Sequence, residues 1–137
     1  MKKTVLFLCT HNSARSQMAE GLVNHYFSDK YSAFSAGTEK TKVNPFAIQA
    51  MNDSGIDISS HYSKTLDEFL DNTFDYVVTV CDNAKENCPY FSNAKVMIHN
   101  SFEDPSAISG SDEEKLGGFI KTRDLIKDWL EHEFSSL

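Results

Sequence analysis

Val5-Leu6-Phe7-Leu8-Cys9-Thr10-His11-Asn12-Ser13-Ala14-Arg15-Ser16 is the stretch on which the reading of this chain turns. Four apolar residues lead into Cys9, and a helix-like run, Gln17 to Phe27, leads out of Ser16. The order is strand, tight loop, helix, with a thiol at the first loop position and a guanidinium at the last. A loop in which five residues separate Cys9 from Arg15 can curl so that successive backbone N–H groups point at one spot. A helix N-terminus adds its positive dipole end there. An anion fits that cradle, held by the N–H groups of Thr10, His11, Asn12, Ser13, Ala14, Arg15 and Ser16. Arg15 adds a planar fork of donors. The same field favours a thiolate over a thiol, which makes Cys9 the candidate nucleophile. Ser16 can donate a hydroxyl hydrogen bond to its sulfur. Taken singly, Cys9 reads as a small buried strand end and Arg15 as a surface cation. The Cys-x5-Arg-Ser spacing between an apolar run and a helix favours the anion site.

Working outward, Thr4 to Leu8 is near-continuously apolar, as a central parallel strand buried on both faces should be. Met18, Leu22, Tyr26 and Ala19, Val23, Phe27 recur at four-residue spacing, giving the following helix one apolar face. Ser32 to Ala36 reads as a weaker strand closed by Gly37. Asn44-Pro45 reads as N-cap and first-turn proline of a helix ending at Gly55. Ile56 to Ser63 is irregular and Thr65 to Leu70 a short helix. Phe74 to Val80 is a second central strand, β-branched from Val77 to Val80, and it ends at Cys81. Asp82 to Asn87 reads as one or two helical turns stopped by Cys88-Pro89. Lys95 to His99 is a strand, and Ser101 to Gly110 a loop holding Asp104-Pro105. Ser111 to Glu114 fits a capping box for a long helix with Phe119, Ile126, Trp129 and Leu130 inward. Gly117-Gly118 weakens that helix without evident reason.

Four strands alternating with helices imply an α/β fold. The expectation is a single three-layer domain over residues 1–137, a four-stranded parallel sheet with helices on both faces. Cys9 and Cys81 both fall at C-terminal strand ends, where ligands bind in open α/β sheets. Two thiols distant in sequence can therefore share one mouth of the sheet.

The 137 residues are one domain's worth, with a net charge of −7 and a pI near 5.1, so a nucleic-acid partner is not expected. No run approaches the roughly 18 apolar residues of a membrane span. Met1-Lys2-Lys3 mimics the start of a signal peptide, but the apolar run after it is too short. The expectation is a cytoplasmic protein, whose three cysteines do not form a structural disulfide framework. Five histidines at 11, 25, 61, 99 and 132 show no metal-ligand spacing, and no metal is expected. His11 lies in the loop, where its N–H matters more than its ring.

Cys81 and Cys88 are seven apart. A helix would hold them about 10 Å apart along its axis, whereas a disulfide needs Cα atoms within roughly 7 Å. A bridge therefore requires the polar segment between them to unwind. Two readings stand. The two are unrelated structural cysteines, or they continue a relay in which Cys9 attacks an oxyanion, Cys81 attacks Cys9 and Cys88 attacks Cys81. Asp104, in a loop leaving the same sheet edge, could protonate an oxygen leaving group.

Leu8 to Gly21 as a block resembles the phosphate loop of thioredoxin-coupled arsenate reductases, which share the low-molecular-weight protein tyrosine phosphatase fold. The likeness continues through Phe34-Ser35-Ala36-Gly37, Val43-Asn44-Pro45, Ile56-Asp57-Ile58-Ser59, Val77 to Cys81, Cys88-Pro89 and Asp104-Pro105. The resemblance implies that Cys9 forms a thiol–arsenate adduct and that Cys81 displaces arsenite, leaving a Cys9–Cys81 bridge. It implies that Cys88 resolves this to a Cys81–Cys88 bridge, which thioredoxin reduces. Arg15 would be the oxyanion ligand, Asp104 the general acid, and Asn12 and Ser16 loop supports. Arsenate would be the substrate, with phosphate or sulfate competing, and no organic cofactor would be needed. His11 and Ala14 depart from a frequent Gly and Cys. Some members bind potassium through positions matching Asn12, Glu20, Ser35 and an acidic residue. Here the acidic position holds Lys64, so no potassium requirement is expected. The competing reading is a phosphatase acting on phosphotyrosine or a small phosphomonoester. Against it stand Gln17 where those enzymes usually have Pro, Ser106 where they usually have Tyr, and the Cys81/Cys88 pair.

Overall fold

The computed structural model describes residues 2–81 and 91–134. Its sheet has four strands: β1 (Lys3–Cys9), β2 (Tyr31–Gly37), β3 (Phe74–Thr79) and β4 (Ala94–His99). They lie in the order β2-β1-β3-β4, and every neighbouring pair is parallel. Val5 to Leu8 is wholly buried, as the apolar run required. Val5, Phe7 and Cys9 face one cluster, while Leu6 and Leu8 face another. The larger cluster takes the apolar sides of α1 (Arg15–Tyr26), α2 (Pro45–Asp53) and α3 (Asp112–Phe134). The smaller one is covered by Leu66 and Phe69 of a 3-10 turn, Leu66–Phe69, together with Phe91. Both faces thus carry helical cover, unequal among the described residues.

Local rules explain most boundaries. The Asn44 side chain accepts from the Phe46 N–H at 2.9 Å with Pro45 in the first turn, and Gly55 ends the unit at φ +83°, a value that favours glycine. The Ser111 hydroxyl accepts from the Glu114 N–H at 3.2 Å, and Glu114 Oε1 accepts from the Ser111 N–H at 3.3 Å, which is the capping box. Gly118 has a packing reason: a Cβ there would land on the Ile108 side chain, which seats the Asp104 loop against α3. At the start of the sheet, Asp75 Oδ2 accepts from the Thr4 N–H at 2.8 Å, and this bond holds its carboxyl below the usual carboxylate range.

Three expectations shift. α1 starts at Arg15, so Arg15 and Ser16 belong to its first turn, and no side chain caps Ala14. Tyr26 is exposed instead of inward; at the last position of α1 its ring lies 4.7 Å below the Lys127 ammonium. Trp129 is half-buried against the core instead of enclosed. The expected turns at Asp82 to Asn87 and the position of Cys88 lie outside the described residues. Among those residues no helix is long and apolar enough to cross a membrane.

Arg123, 8% exposed, ties α3 to the end of α2 by donating to the Ala50 carbonyl at 2.6 Å and to Asp53 Oδ2 at 3.3 Å. Arg123→Met is expected to cost about 1.5–3 kcal/mol, the usual worth of hydrogen bonds from a charged donor. Urea unfolding reads it directly.

Candidate active site

β1 delivers Cys9 to the C-terminal edge of the sheet, and the chain turns through Thr10 to Ala14 into α1. Asn12 sits at φ +49° and is fully buried. Its left-handed backbone reverses the loop. The loop's carbonyls are all held from behind. Thr10 O accepts from the Thr38 and Glu39 N–H groups at 2.9 and 3.0 Å. His11 O accepts from the Thr41 and Ser63 hydroxyls, both at 3.0 Å. Asn12 O accepts from Gln17 Nε2 at 3.2 Å, and Ser13 O from the Asn44 N–H at 2.9 Å. With the carbonyls turned outward, the N–H edge of the loop is left to the concave side.

That concave side is a cleft of about 350 Å³ lined by Cys9, His11, Ser13, Ala14 and Arg15 of the loop. Thr41, Lys42, Asn44 and Pro45 form one wall, and Asp104 and Ser106 another. Cys9 is a free thiol, 2% exposed, with its Sγ 2.9 Å from Ser16 Oγ. Asn12 Nδ2 donates to the same hydroxyl at 2.8 Å, which leaves the Ser16 proton free to point at the sulfur. Arg15 is buried; Nη1 donates to the Phe102 carbonyl at 3.0 Å, and Nη2 stands 3.8 Å from Asp104 Oδ2. Asp104 Oδ1 is occupied by the Ser106 N–H and hydroxyl at 2.9 and 2.6 Å, so Oδ2 is the oxygen turned toward Arg15. The arrangement offers a sulfur nucleophile, a guanidinium with amide donors and a carboxyl over one oxyanion-sized space. It suits covalent attack on a tetrahedral oxyanion.

Cys81 is fully buried, disulfide-bonded, and belongs to the same apolar cluster as Cys9. It is absent from the described cleft lining. Leu8 pairs with Thr79, so Val80 faces Cys9 and Cys81 follows.

Behind the loop lies a buried polar network that sequence reasoning saw only in part. Gln17 Nε2 donates to Asn12 Oδ1 at 2.8 Å and to the Tyr62 carbonyl at 3.0 Å. Gln17 Oε1 lies 3.0 Å from His61 Nδ1, and His61 Nε2 is 3.5 Å from Glu20 Oε2. Ser35 donates to Glu20 Oε1 at 2.6 Å. The Lys64 ammonium sits 3.7 Å from Glu20 Oε1, 3.4 Å from Ser35 Oγ and 3.2 Å from the Tyr62 carbonyl. Thr41 and Ser63, which hold His11 O, carry no sequence signal, because hydroxyls in an irregular stretch are commonplace. The His11 ring pairs with Glu39 at 3.0 Å on the rim, in keeping with a role for its main chain in the cradle.

Gly37 packs against the back of the cradle. A Cβ there would come within 2.6 Å of Thr10 O, 2.8 Å of Cys9 O and 2.9 Å of Asn12 N, all backbone atoms that cannot swing aside. Gly37→Ala is expected to destabilise the fold by about 1–3 kcal/mol through overpacking. It should also weaken inorganic phosphate binding by roughly tenfold or more through distortion of the donor array. Calorimetric titration of the folded variant checks the second effect; unchanged affinity would show that the loop does not depend on this contact.

A thiol on a loop with an arginine at its end, on a parallel four-stranded sheet, defines the low molecular weight phosphotyrosine protein phosphatase family. The chain matches that family over residues 4–137 and belongs to it. Within the family, the relatives it resembles reduce arsenate by name. It is 46% identical over 125 residues to the arsenate reductase of Halalkalibacterium halodurans, covering 91% of this chain and 90% of that one. It is 42% identical over 128 residues to the arsenate reductase of Bacillus subtilis, covering 93% and 92%. A solved arsenate reductase in its phosphate-binding state superposes with a TM-score of 0.82 at 32% identity, over 99% of this chain and 98% of that one.

Proposed function

We propose that this chain is an arsenate reductase working through a three-cysteine relay that thioredoxin re-reduces. The Cys9 sulfur attacks arsenic in an arsenate held by the loop amides and Arg15. An arsenate oxygen leaves as water with the proton from Asp104 Oδ2. Cys81 then attacks Cys9 Sγ. The S–S bond forms, the S–As electron pair returns to arsenic, and As(V) departs as As(III) in arsenite. Cys88 attacks Cys81, which frees Cys9 and leaves a Cys81–Cys88 bridge for a dithiol protein, thioredoxin, to reduce. The observation that carries this reading is the second cysteine anchored at the end of the strand beside Cys9, in one cluster with it. A phosphatase needs Cys9, Arg15 and Asp104 but no such neighbour. Phosphate and sulfate should compete for the cradle, and slow hydrolysis of phosphomonoesters should persist as a side reaction.

The test is arsenate-dependent NADPH oxidation with thioredoxin and thioredoxin reductase. The parent should cycle, and Cys88→Ser should stop after one turnover with Cys9 bridged to Cys81. Hydrolysis of para-nitrophenyl phosphate without arsenate-dependent NADPH consumption would assign the protein to the phosphatase reading instead.

No potassium requirement is proposed, since the Lys64 ammonium already lies against Glu20, Ser35 and the Tyr62 carbonyl and supports Asn12 through its backbone N–H at 3.0 Å. Arsenate turnover should be the same in potassium and sodium buffers at equal ionic strength. A severalfold rise with potassium would contradict this.

A further inference from the structure

β3 ends at Thr79, two residues before Cys81, so something beyond the strand ladder must place the second thiol. The chain after β4 does this. The Asn100 N–H donates to Thr79 O at 3.0 Å and the Phe102 N–H to Val80 O at 3.2 Å. Between them the Ser101 hydroxyl donates to the Cys81 carbonyl at 3.4 Å. Ser101 Oγ lies 3.1 Å from His99 Nε2, and His99 Nδ1 lies 2.5 Å from Thr79 Oγ1. For a neutral imidazole these bonds have one consistent direction. With the Ser101 proton committed to the Cys81 carbonyl, its oxygen accepts from His99 Nε2–H, and His99 Nδ1 accepts from the Thr79 hydroxyl. The chain runs from Thr79 through the imidazole and Ser101 to the main chain of Cys81. The same bracket reaches the oxyanion side, because Arg15 donates to the carbonyl of Phe102.

We infer that His99 and Ser101 are positioning residues for the second thiol: they fix the backbone of Cys81 while its sulfur changes partners. This rests on the relay reading above. In that relay Cys81 Sγ must reach Cys9 Sγ along the axis of the breaking S–As bond and then turn to Cys88. A thiol that visits two partners keeps its aim only if its main chain stays still. Binding of the oxyanion uses Cys9, Arg15 and the loop amides, whereas the His99 and Ser101 side chains reach Thr79 and the Cys81 carbonyl. The two steps should therefore separate on mutation.

The experiment is a single turnover in the Cys88→Ser background, where two thiols and one arsenate give one Cys9–Cys81 disulfide, one arsenite and water. Arsenite release is followed by quench and mass analysis, and inorganic phosphate affinity is measured alongside by calorimetry. Ser101→Ala should slow arsenite release about fivefold, the worth of one net hydrogen bond. His99→Phe should slow it roughly tenfold, since it unseats Ser101 as well. His99→Gln, which keeps a donor and an acceptor, should recover most of the rate. Phosphate affinity should stay within about twofold throughout. Unchanged arsenite release in Ser101→Ala and His99→Phe overturns the inference. So does a parallel loss of rate and phosphate affinity, which marks a general structural role. A Cys81→Ser control separates the two levels: arsenite release at the parent rate there would sink the relay itself.

Discussion

Cys9→Ser is expected to leave neither arsenate reduction nor phosphomonoester hydrolysis detectable, while inorganic phosphate still binds. Serine is nearly isosteric and would keep the 2.9 Å contact to Ser16 Oγ, so the cradle should survive. An alcohol is a far weaker nucleophile than a thiol at neutral pH, and it cannot form the S–S bond of the proposed relay. Phosphate affinity within about threefold of the parent, measured by calorimetry, would show that the loss is chemical and not conformational. Turnover of either substrate in this variant would remove Cys9 from the nucleophile's role.

Arg15→Lys should lower kcat/KM for arsenate by about 10²–10³, comparable to removal of a preorganised donor at an oxyanion site. The charge is kept, but the geometry is not. Arg15 is 3% exposed and splits its two terminal nitrogens between the Phe102 carbonyl and the Asp104 side. That anchoring fixes the plane of the fork that faces the cleft. An ammonium is a point donor on a flexible stem. It cannot hold the Phe102 carbonyl and two oxyanion oxygens together. Kinetics within threefold of the parent would mean that Arg15 is not a ligand of the oxyanion.

Much of this was legible along the chain. Continuous apolarity in Val5 to Leu8 marked a strand buried on both faces, and it is. Asn44-Pro45 and Ser111 to Glu114 announced helix starts, because capping is a contact between residues two or three apart. The Cys9–Ser16 contact spans one loop and was likewise readable from spacing. α1 starts two residues before the expected Gln17, because Arg15 and Ser16 look like loop residues by type while their backbones are helical. Tyr26 is exposed because four-residue spacing gives the side of a helix but not how far the core extends along it, and Tyr26 is the last residue of α1.

The sequence by itself determined the strand–loop–helix unit, the thiol and guanidinium at its two ends, and the parallel direction of the strands. Each is a short-range consequence of burial pattern, capping or loop length. Tertiary structure alone decided which backbone groups stand behind the loop. Gly37 is 27 residues from Thr10 in the chain yet leaves no room for a Cβ against its carbonyl. Ser63 and Thr41 meet only on the His11 carbonyl. Lys64 acquires its meaning from Glu20 and Ser35 on α1 and β2. The Cys81 carbonyl meets the Ser101 hydroxyl, and that hydroxyl meets His99, from the far side of β3. These contacts join segments whose separation along the chain carries no periodic signal. They form because packing the helices on the sheet brings polar groups into a dry interior, where each must find a partner or cost folding free energy.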